Sequence, residues 1–237
     1  MKNTVLLFLI SLLAPGLCSY AAVTVSTTAD LVSAVADANA GGDNTILLND
    51  GTYILDSMLW ISADHVTIRS VSRNRNAVII EGRGGMSGGV SHIFNVPGSY
   101  FTAEDMTLRG VANHLVQIHG NNGASYPILR NLVLQDAYEQ LVKISYESGN
   151  PASSSGGLVE GCIFEYTAGI GPQWYIGGVD GHQCIDWVVR KNTFRDIQSP
   201  ESDLAEHAIH FWSGSQGTLV EQNHIINCDR GIGFGLG

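Results

Sequence analysis

Short alternations of apolar and polar residues recur along the chain. A nine-residue frame appears six times without gaps, and in each copy the third place is charged and the seventh place is apolar. The six copies are SADHVTIRS (62–70), TAEDMTLRG (102–110), ILRNLVLQD (128–136), LVEGCIFEY (158–166), VVRKNTFRD (188–196) and LVEQNHIIN (219–227). A second alternation follows four of the frames, as LVQIHG (115–120), LVKISY (141–146), AIHFWSG (208–214) and GIGFGLG (231–237). Alternation over so few residues predicts brief β-strands.

The repeat itself predicts how these strands pack. Two or three brief strands per repeat cannot bury a hydrophobic face alone, but stacked repeats bury a continuous column. Asn192 and Asn223 share the fifth place of their frames, where stacked side-chain amides can pair between neighbouring coils. Cys162 occupies the same inward place, which predicts a buried free thiol. The sequence therefore predicts an all-β solenoid, a parallel β-helix of about six coils over residues 22–237.

The segment before the first repeat has the pattern of a short amphipathic helix. Thr27 and Asp30 form a capping-box pattern, and Gly41 marks the end of the helical pattern. The apolar positions of this segment fall on one face, at Leu31, Val35 and Ala38. We expect this helix to cover the open end of the β-helix, and DNTILLNDGTYIL (43–55) to begin the first coil.

These features resemble a known group of proteins. The leading helix, the segment TILLNDGTYIL and the repeated turns of the VVRKNTF type are similar to the right-handed parallel β-helix proteins of the pectin-lyase-like group. Within that group the chain most resembles the branch that contains chondroitinase B and alginate lyases. The resemblance covers nearly the whole chain after the first twenty or so residues. It implies an exported protein that binds or cleaves a carbohydrate, but a fold hosts many activities, so function depends on the site.

Both ends of the sequence carry signals of their own. Residues 1–21 combine Lys2, an apolar run from Val5 to Leu13, and the small residues Ser19 and Ala21, which is typical of a secretory signal peptide cleaved after Ala21. The apolar run is too short to span a bilayer. We therefore expect a secreted or periplasmic protein. At the other end, the sequence stops at Gly237 inside the second strand of its last coil, so we expect the C-terminal end of the β-helix to be incomplete.

Charge limits the partners of the protein. The chain has 22 acidic and 12 basic residues, for a formal net charge of −10. This balance argues against nucleic acid and against anionic membrane surfaces as partners. A polysaccharide remains the expected partner. For an acidic polymer to bind, local basic residues or a bound cation would have to make the electrostatic potential at the binding surface positive.

The second alternation predicts which side chains face outwards. If the apolar residues point inwards, one outer face shows Gln117 and His119, then Lys143 and Ser145, then His210 and Trp212, then Gly233 and Gly235. Another coil contributes a row from TAGIGPQWYIGGVDGH (167–182), but its register is ambiguous. Coils stack at about 4.8 Å, so Lys143 and His210, two coils apart, are expected about 10 Å apart. That separation suits opposite sides of one sugar ring.

Three longer connections flank this face, at 146–157, 171–183 and 197–207. Loops on a rigid scaffold are where functional residues collect. These connections bring five residues with polar chemistry towards the face: Asp180, His182, Asp203, Glu206 and His207. Trp212, with Trp174 and Tyr175 nearby, predicts a flat platform for a sugar ring, although Trp212 packed under a loop is an alternative.

The segment AEHAIHFWSG (205–214) has two interpretations. On a helix, His207 and His210 would share a face and grip a metal together, whereas a strand sends neighbouring side chains to opposite faces. The repeat favours a strand in which Ile209 and Phe211 point inwards. In that interpretation His207 belongs to the entering turn, His210 faces outwards, and the two histidines form no chelate.

The candidate chemistry is the β-elimination of a polyuronate. That reaction needs a positive group for the substrate carboxylate, a base, and a proton donor. Lys143 is the candidate base or electrostatic group, with His210 or His182 as the proton donor. The expected substrate contacts are Trp212, His119, Gln117, Asp180, Trp174 and Tyr175. The segment EQLVKIS resembles the lysine strand of the chondroitinase B and alginate lyase branch, but the Glu-x-Glu pair that binds calcium there is absent. A divalent cation such as calcium fits this chemistry, but the sequence identifies no metal ligands.

Several alternatives remain open. The protein is alternatively a non-catalytic glycan-binding or structural module, or a glycoside hydrolase, which needs two carboxylates about 5–10 Å apart, here Asp180 and Asp203. Lys143 is alternatively a solvated strand residue, and His119 a surface residue without a ligand. Asp180 and His182, in the glycine-rich segment GGVDGH, alternatively form a turn.

Overall fold

The structure, a computed structural model, describes residues 22–84 and 89–235; the predicted signal peptide lies outside these ranges. It contains one α-helix, α1 (Thr28–Asn39), and a 3₁₀ turn at Gly120–Asn122. The first twelve strands are β1 (Ala22–Val25), β2 (Thr45–Leu48), β3 (Gly51–Ile54), β4 (Leu59–Trp60), β5 (Thr67–Ser70), β6 (Val78–Glu81), β7 (Phe94–Val96), β8 (Thr102–Glu104), β9 (Thr107–Val111), β10 (Val116–Ile118), β11 (Ile128–Arg130) and β12 (Val133–Ala137). The remaining strands are β13 (Gln140–Ile144), β14 (Ser154–Ser155), β15 (Leu158–Glu160), β16 (Ile163–Glu165), β17 (Gly177–Gly181), β18 (Cys184–Ile185), β19 (Val188–Arg190), β20 (Thr193–Arg195), β21 (His207–Phe211), β22 (Leu219–Glu221), β23 (His224–Ile226) and β24 (Arg230–Phe234).

The strands form three long parallel sheets. Sheet 1 has the order β1-β2-β5-β8-β11-β15-β19-β22, and sheet 2 has the order β3-β6-β9-β12-β16-β20-β23. Sheet 3 has the order β4-β7-β10-β13-β17-β21-β24, and β14 pairs with β18 in a small separate sheet. The chain visits the three long sheets in turn and then starts the next coil. The predicted all-β parallel β-helix with an N-terminal helix is therefore confirmed.

Helix α1 begins and packs as its sequence predicts. The Thr27 side-chain oxygen accepts a hydrogen bond from the Asp30 backbone N–H at 3.1 Å, which satisfies one unpaired donor of the first turn. The predicted apolar face is buried, at Leu31, Val35 and Ala38. The strand β1, which the repeat did not predict, pairs with β2 and extends sheet 1 by one strand. Among the described residues, no helix is long and apolar enough to cross a membrane.

A stack of apolar side chains runs through the interior beneath sheet 2. Paired strands place these residues in one register: Ile80, Leu108, Leu134, Phe164, Phe194 and Ile225. The frame at 62–70 predicts that its seventh residue, Ile68, belongs to this row, but Ile80 occupies the place opposite Leu108. Ile68 instead pairs with Ala103 in sheet 1. The difference arises because the alternation around Ile68 fits a strand of either sheet, and because the connection between β5 and β6 is longer (71–77) than the corresponding connection in the later coils.

The charged third place of the repeat forms a ladder on the outer side of sheet 1. Arg130 Nη1 lies 2.7 Å from Glu104 Oε1, and Arg130 Nε lies 3.3 Å from Glu160 Oε2. Arg190 Nε then lies 2.8 Å from Glu160 Oε1. Because the arginines are more than a third exposed, solvent screens these pairs, and their main effect is to align neighbouring coils.

The predicted pairing of stacked asparagines is also confirmed. Asn192 Oδ1 accepts a hydrogen bond from the Cys162 backbone N–H at 2.8 Å, and Asn192 Nδ2 donates to Asn223 Oδ1 at 3.0 Å. Asn192 is fully buried. Cys162 is a buried free cysteine, and burial raises the pKa of its thiol to about 12. The amide of Asn192 therefore satisfies backbone groups at a turn where the sheet ladder is interrupted.

Asn192→Ala should lower the free energy of unfolding by about 2–3 kcal/mol, because it leaves the buried Cys162 N–H without a partner. Urea unfolding followed by circular dichroism measures the change. Asn223→Ala is the matched control: Asn223 is partly exposed, so we expect a smaller loss. Equal losses in the two variants would contradict the role of burial.

Candidate functional site

The outer face of sheet 3 carries a continuous row of side chains, one from each coil. The paired strands place Asn95, Gln117, Lys143, Asp180 and His210 in register. Strand β17 resolves the ambiguous coil, because Val179 pairs with Val142 and Ile209. Asp180 therefore lies between Lys143 and His210, which confirms that these two residues are two coils apart.

Asp180 is the buried centre of this face. Its carboxylate accepts hydrogen bonds from Lys143 Nζ at 3.0 Å and from the indole Nε1 of Trp212 at 2.6 Å. Only 2% of Asp180 is exposed. Asp180, which the sequence predicts as a substrate contact, thus lies beneath Lys143 and Trp212 and positions both of them.

His182 lies next to Lys143 in a stack of rings. Its Nε2 is 3.4 Å from Lys143 Nζ. The imidazole lies between two nearly parallel rings, with centroid distances of 4.7 Å to Tyr146 and 5.0 Å to Trp212. Tyr146 was missed by sequence reasoning, because it follows the end of β13, where alternation no longer predicts direction.

The surroundings of His182 favour its neutral form. Burial lowers its pKa to about 4, and the charges of Lys143 and His210 act in the same direction, whereas Asp180 opposes them. At neutral pH the imidazole is therefore unprotonated. As the predicted proton donor, His182 would first have to take up a proton.

Two aromatic residues of the connection before β17 lie near Lys143. The Tyr175 ring centroid is 6.0 Å from Lys143 Nζ, at the limit of a cation–π contact. The Trp174 ring lies 5.4 Å from that of Tyr175 and is partly exposed. Lys143, Asp180, His182 and Trp212 form a contacting group, the Lys143 cluster. The structure thus brings two further predicted platform residues, Trp174 and Tyr175, to the edge of this cluster.

Other predicted site residues lie away from solvent or further along the face. His210 is 1% exposed, with its ring 4.2 Å from that of Trp212, so it is not placed to meet a substrate directly. His119 lies nearer the N-terminal end, where it hydrogen-bonds Asn95 and packs edge-on against Trp60 at 5.4 Å. Gln117 pairs in register with Lys143 and connects the two regions.

The structure corrects the interpretation of residues 205–214. The segment is a strand, as predicted, but His207 is its first residue and not part of a turn. Ala208 and Ile209 are both fully buried, so strict alternation is interrupted and His207 and His210 lie on the same side. Their ring centroids are 4.3 Å apart. Together with Glu206 they offer three possible metal-ligand atoms within 4.8 Å of one another, so the expected separation of the two histidines was wrong.

Comparisons with known proteins support the fold and no finer assignment. No protein-family model matches the chain, and no curated protein matches it. Among solved structures, the chain is similar to Escherichia coli YbhC, with a TM-score of 0.53 and 11% sequence identity. The match covers 97% of this chain and 68% of YbhC. At this identity the likeness shows a parallel β-helix fold, and any activity has to be argued from the side chains.

Proposed function

We propose that this protein is exported, binds an anionic polysaccharide on the outer face of sheet 3, and cleaves it by β-elimination. The observation that supports this proposal is the contact between Lys143 Nζ and the neutral imidazole of His182. A cation beside an unprotonated base is the pair that β-elimination of a uronate requires.

The proposed reaction uses His182 first as a base and then as an acid. With the substrate carboxylate held by Lys143, the His182 imidazole removes the proton from the carbon next to that carboxylate. The electron pair of this C–H bond forms a carbon–carbon double bond as the bond to the leaving sugar oxygen breaks. The imidazolium then returns the proton to that oxygen. Since its pKa of about 4 lies well below neutrality, the imidazolium is a ready donor.

Binding would rest on the aromatic residues around this pair. Tyr146 and Trp174 are 46% and 39% exposed, so parts of both rings are available for the apolar faces of sugars. Tyr175 lies between Trp174 and Lys143. A chain of sugars would thus lie along these rings, with one carboxylate at Lys143.

One observation favours a second candidate, a glycan-binding module without catalysis. Asp180 already compensates the charge of Lys143, which weakens its attraction for a substrate carboxylate. The hydrolase alternative has less support, because both oxygens of Asp180 are occupied by Lys143 and Trp212. Asp203 is exposed in the connection before β21.

The test is incubation with a panel of uronate polymers, following both ultraviolet absorbance of the unsaturated product and release of reducing ends. We expect both signals to appear together, and His182→Gln to lower the rate by about 10²–10⁴-fold because it removes the proton-transfer group. Asp203→Asn is the matched control and should leave the rate unchanged.

Each alternative gives its own result. Polymer binding without either signal would replace elimination with the glycan-binding module. Reducing ends without ultraviolet absorbance, lost in Asp203→Asn, would favour the hydrolase. Elimination that survives His182→Gln would overturn the assignment of the base.

A further inference from the structure

Three side chains in or just before β21 lie close together on the outer face of sheet 3: Glu206, His207 and His210. Glu206 Oε2 lies 3.7 Å from His207 Nδ1 and 3.8 Å from His210 Nδ1. Hydrogen bonds between such atoms have lengths of about 2.7–3.2 Å, so neither contact is one. Among the described residues, the Glu206 side chain makes no hydrogen bond. Its nearest cation is Arg230, whose Nη1 lies 3.8 Å from Oε2.

The two histidines each have a buried nitrogen without a partner. Nδ1 of His207 and Nδ1 of His210 are both inaccessible to solvent and make no hydrogen bond. Leaving such polar atoms unsatisfied in the interior costs free energy. A ligand that lies between the imidazoles and Glu206 would satisfy both of these nitrogen atoms.

A backbone contact fixes which nitrogen of His210 is free. His210 Nε2 lies 3.1 Å from the Gly235 carbonyl oxygen, which can only accept a hydrogen bond. The proton therefore resides on Nε2, and Nδ1 presents a lone pair towards the Glu206 carboxylate. A hydrogen bond from the second nitrogen to a carbonyl is how metal-binding histidines are commonly oriented.

The packing of His207 agrees with the same arrangement. The His207 ring occupies space left free by Gly233, where a Cβ would lie only 2.7 Å from Nε2. The unpartnered Nδ1 atoms of both histidines and the Glu206 carboxylate thus converge, and the three side chains offer ligand atoms within 4.8 Å of one another.

We propose that Glu206, His207 and His210 bind a divalent transition-metal ion, with Zn²⁺ as the best fit. Zinc takes histidine nitrogen and carboxylate oxygen at about 2.0–2.2 Å in tetrahedral geometry, which places two ligand atoms about 3.4 Å apart. The two separations from Glu206 Oε2, 3.7 and 3.8 Å, need to close by a few tenths of an ångström, and all three candidate ligand atoms lie within 4.8 Å of one another. Two imidazoles and one carboxylate suit zinc better than calcium, which prefers an all-oxygen shell. Three protein ligands leave a fourth position for water.

Arg230 provides a direct probe of this site. Its guanidinium would compete electrostatically with a metal for Glu206, and its side chain is 38% exposed, so its removal should not disturb the core. Arg230→Gln should therefore strengthen zinc binding, whereas Glu206→Gln should weaken it by at least about tenfold. If Glu206 and Arg230 formed only an ion pair and no metal site, the two substitutions would not change zinc binding in opposite directions.

The experiment is calorimetric titration of Zn²⁺ into tag-free, chelator-treated protein, with Co²⁺ absorption as a report of tetrahedral geometry. We expect one equivalent to bind, with weaker binding in Glu206→Gln and His207→Gln and tighter binding in Arg230→Gln. Asp203→Asn, an exposed carboxylate of the same connection, is the matched control and should bind as the wild type does. His182→Gln should also retain zinc binding, which separates this site from the proposed elimination.

Two results would overturn the proposal. One is the absence of stoichiometric Zn²⁺ binding in the wild type together with normal circular dichroism. The other is binding that neither Glu206→Gln nor His207→Gln weakens, which would place the ion elsewhere. Because Glu206 and His207 are partly exposed, these variants avoid the folding risk of replacing the buried His210.

Discussion

Lys143→Met should destabilise the folded protein by about 3–5 kcal/mol, a loss typical of breaking a buried ion pair. The substitution removes the cation that lies 3.0 Å from Asp180 Oδ2 and leaves a carboxylate with 2% exposure uncompensated. The remaining hydrogen bond from Trp212 does not supply a full charge. Urea unfolding followed by tryptophan fluorescence measures the loss, since Trp212 donates to the same carboxylate.

A double-mutant cycle shows whether the cost comes from the unpaired charge. Asp180→Asn removes the charge and keeps the size of the side chain. The Lys143→Met/Asp180→Asn double variant should therefore regain much of the stability lost in Lys143→Met alone, with a coupling energy of about 1–3 kcal/mol. Additive losses would mean that Lys143 stabilises through packing of its stem.

Acidification should destabilise the protein between about pH 6.5 and pH 4, through two histidines with lowered pKa values. Burial is the main cause in both, and it lowers the pKa to about 3 for His114 and to about 4 for His182. Below pH 6.5 the unfolded chain takes up protons that the folded chain does not bind, so stability falls as the pH falls. Above pH 6.5 both states are neutral and the effect disappears. For the buried His114 the loss across this window is up to about 3 kcal/mol.

The groups around His114 set the size of this effect. Its Nδ1 contacts the Gln140 carbonyl at 2.9 Å, which favours the charged form, whereas His92 and Lys143 oppose it. Glu139 Oε2 lies 3.4 Å from Nε2. Because burial raises the pKa of Glu139, that carboxyl takes up a proton more readily when folded and offsets part of the loss.

Unfolding midpoints in urea from pH 7 to pH 4 test this prediction. His114→Gln and His182→Gln should each flatten the decline, since glutamine does not titrate. His224→Gln, at an exposed position of β23, should leave the decline unchanged. An unaltered slope in His114→Gln would assign the acid sensitivity to other groups.

The sequence predicted the fold better than the site, for a physical reason. Inward positions such as Leu134 and Phe194 must be apolar in every coil, so stacking leaves a periodic record in the sequence. Asn192 and Asn223 could be paired from the same record. The outer face carries no such constraint. In GGVDGH the glycines do not indicate which side chains face outwards, so the register of Asp180 had to come from the structure.

The interrupted alternation at β21 explains the largest error. A strand of period two separates His207 from His210, but two consecutive buried residues, Ala208 and Ile209, return both histidines to one side. The extent to which each outer-face side chain is buried was also not predictable from the sequence. A residue that points away from the core can still be covered by its neighbours, as His210 is by Trp212.

The stacking of coils also bears on how such a protein evolves by duplication. In each long sheet a strand pairs only with strands of the neighbouring coils, so one repeat copied within the gene would lengthen the apolar stack. The Lys143 cluster has no such tolerance, because Lys143 and Asp180 lie in the neighbouring strands β13 and β17 of sheet 3, and Trp212 directly follows the next strand, β21. A coil inserted between β13 and β17 would move Lys143 about 5 Å further from Asp180. The number of coils between these three strands is therefore fixed.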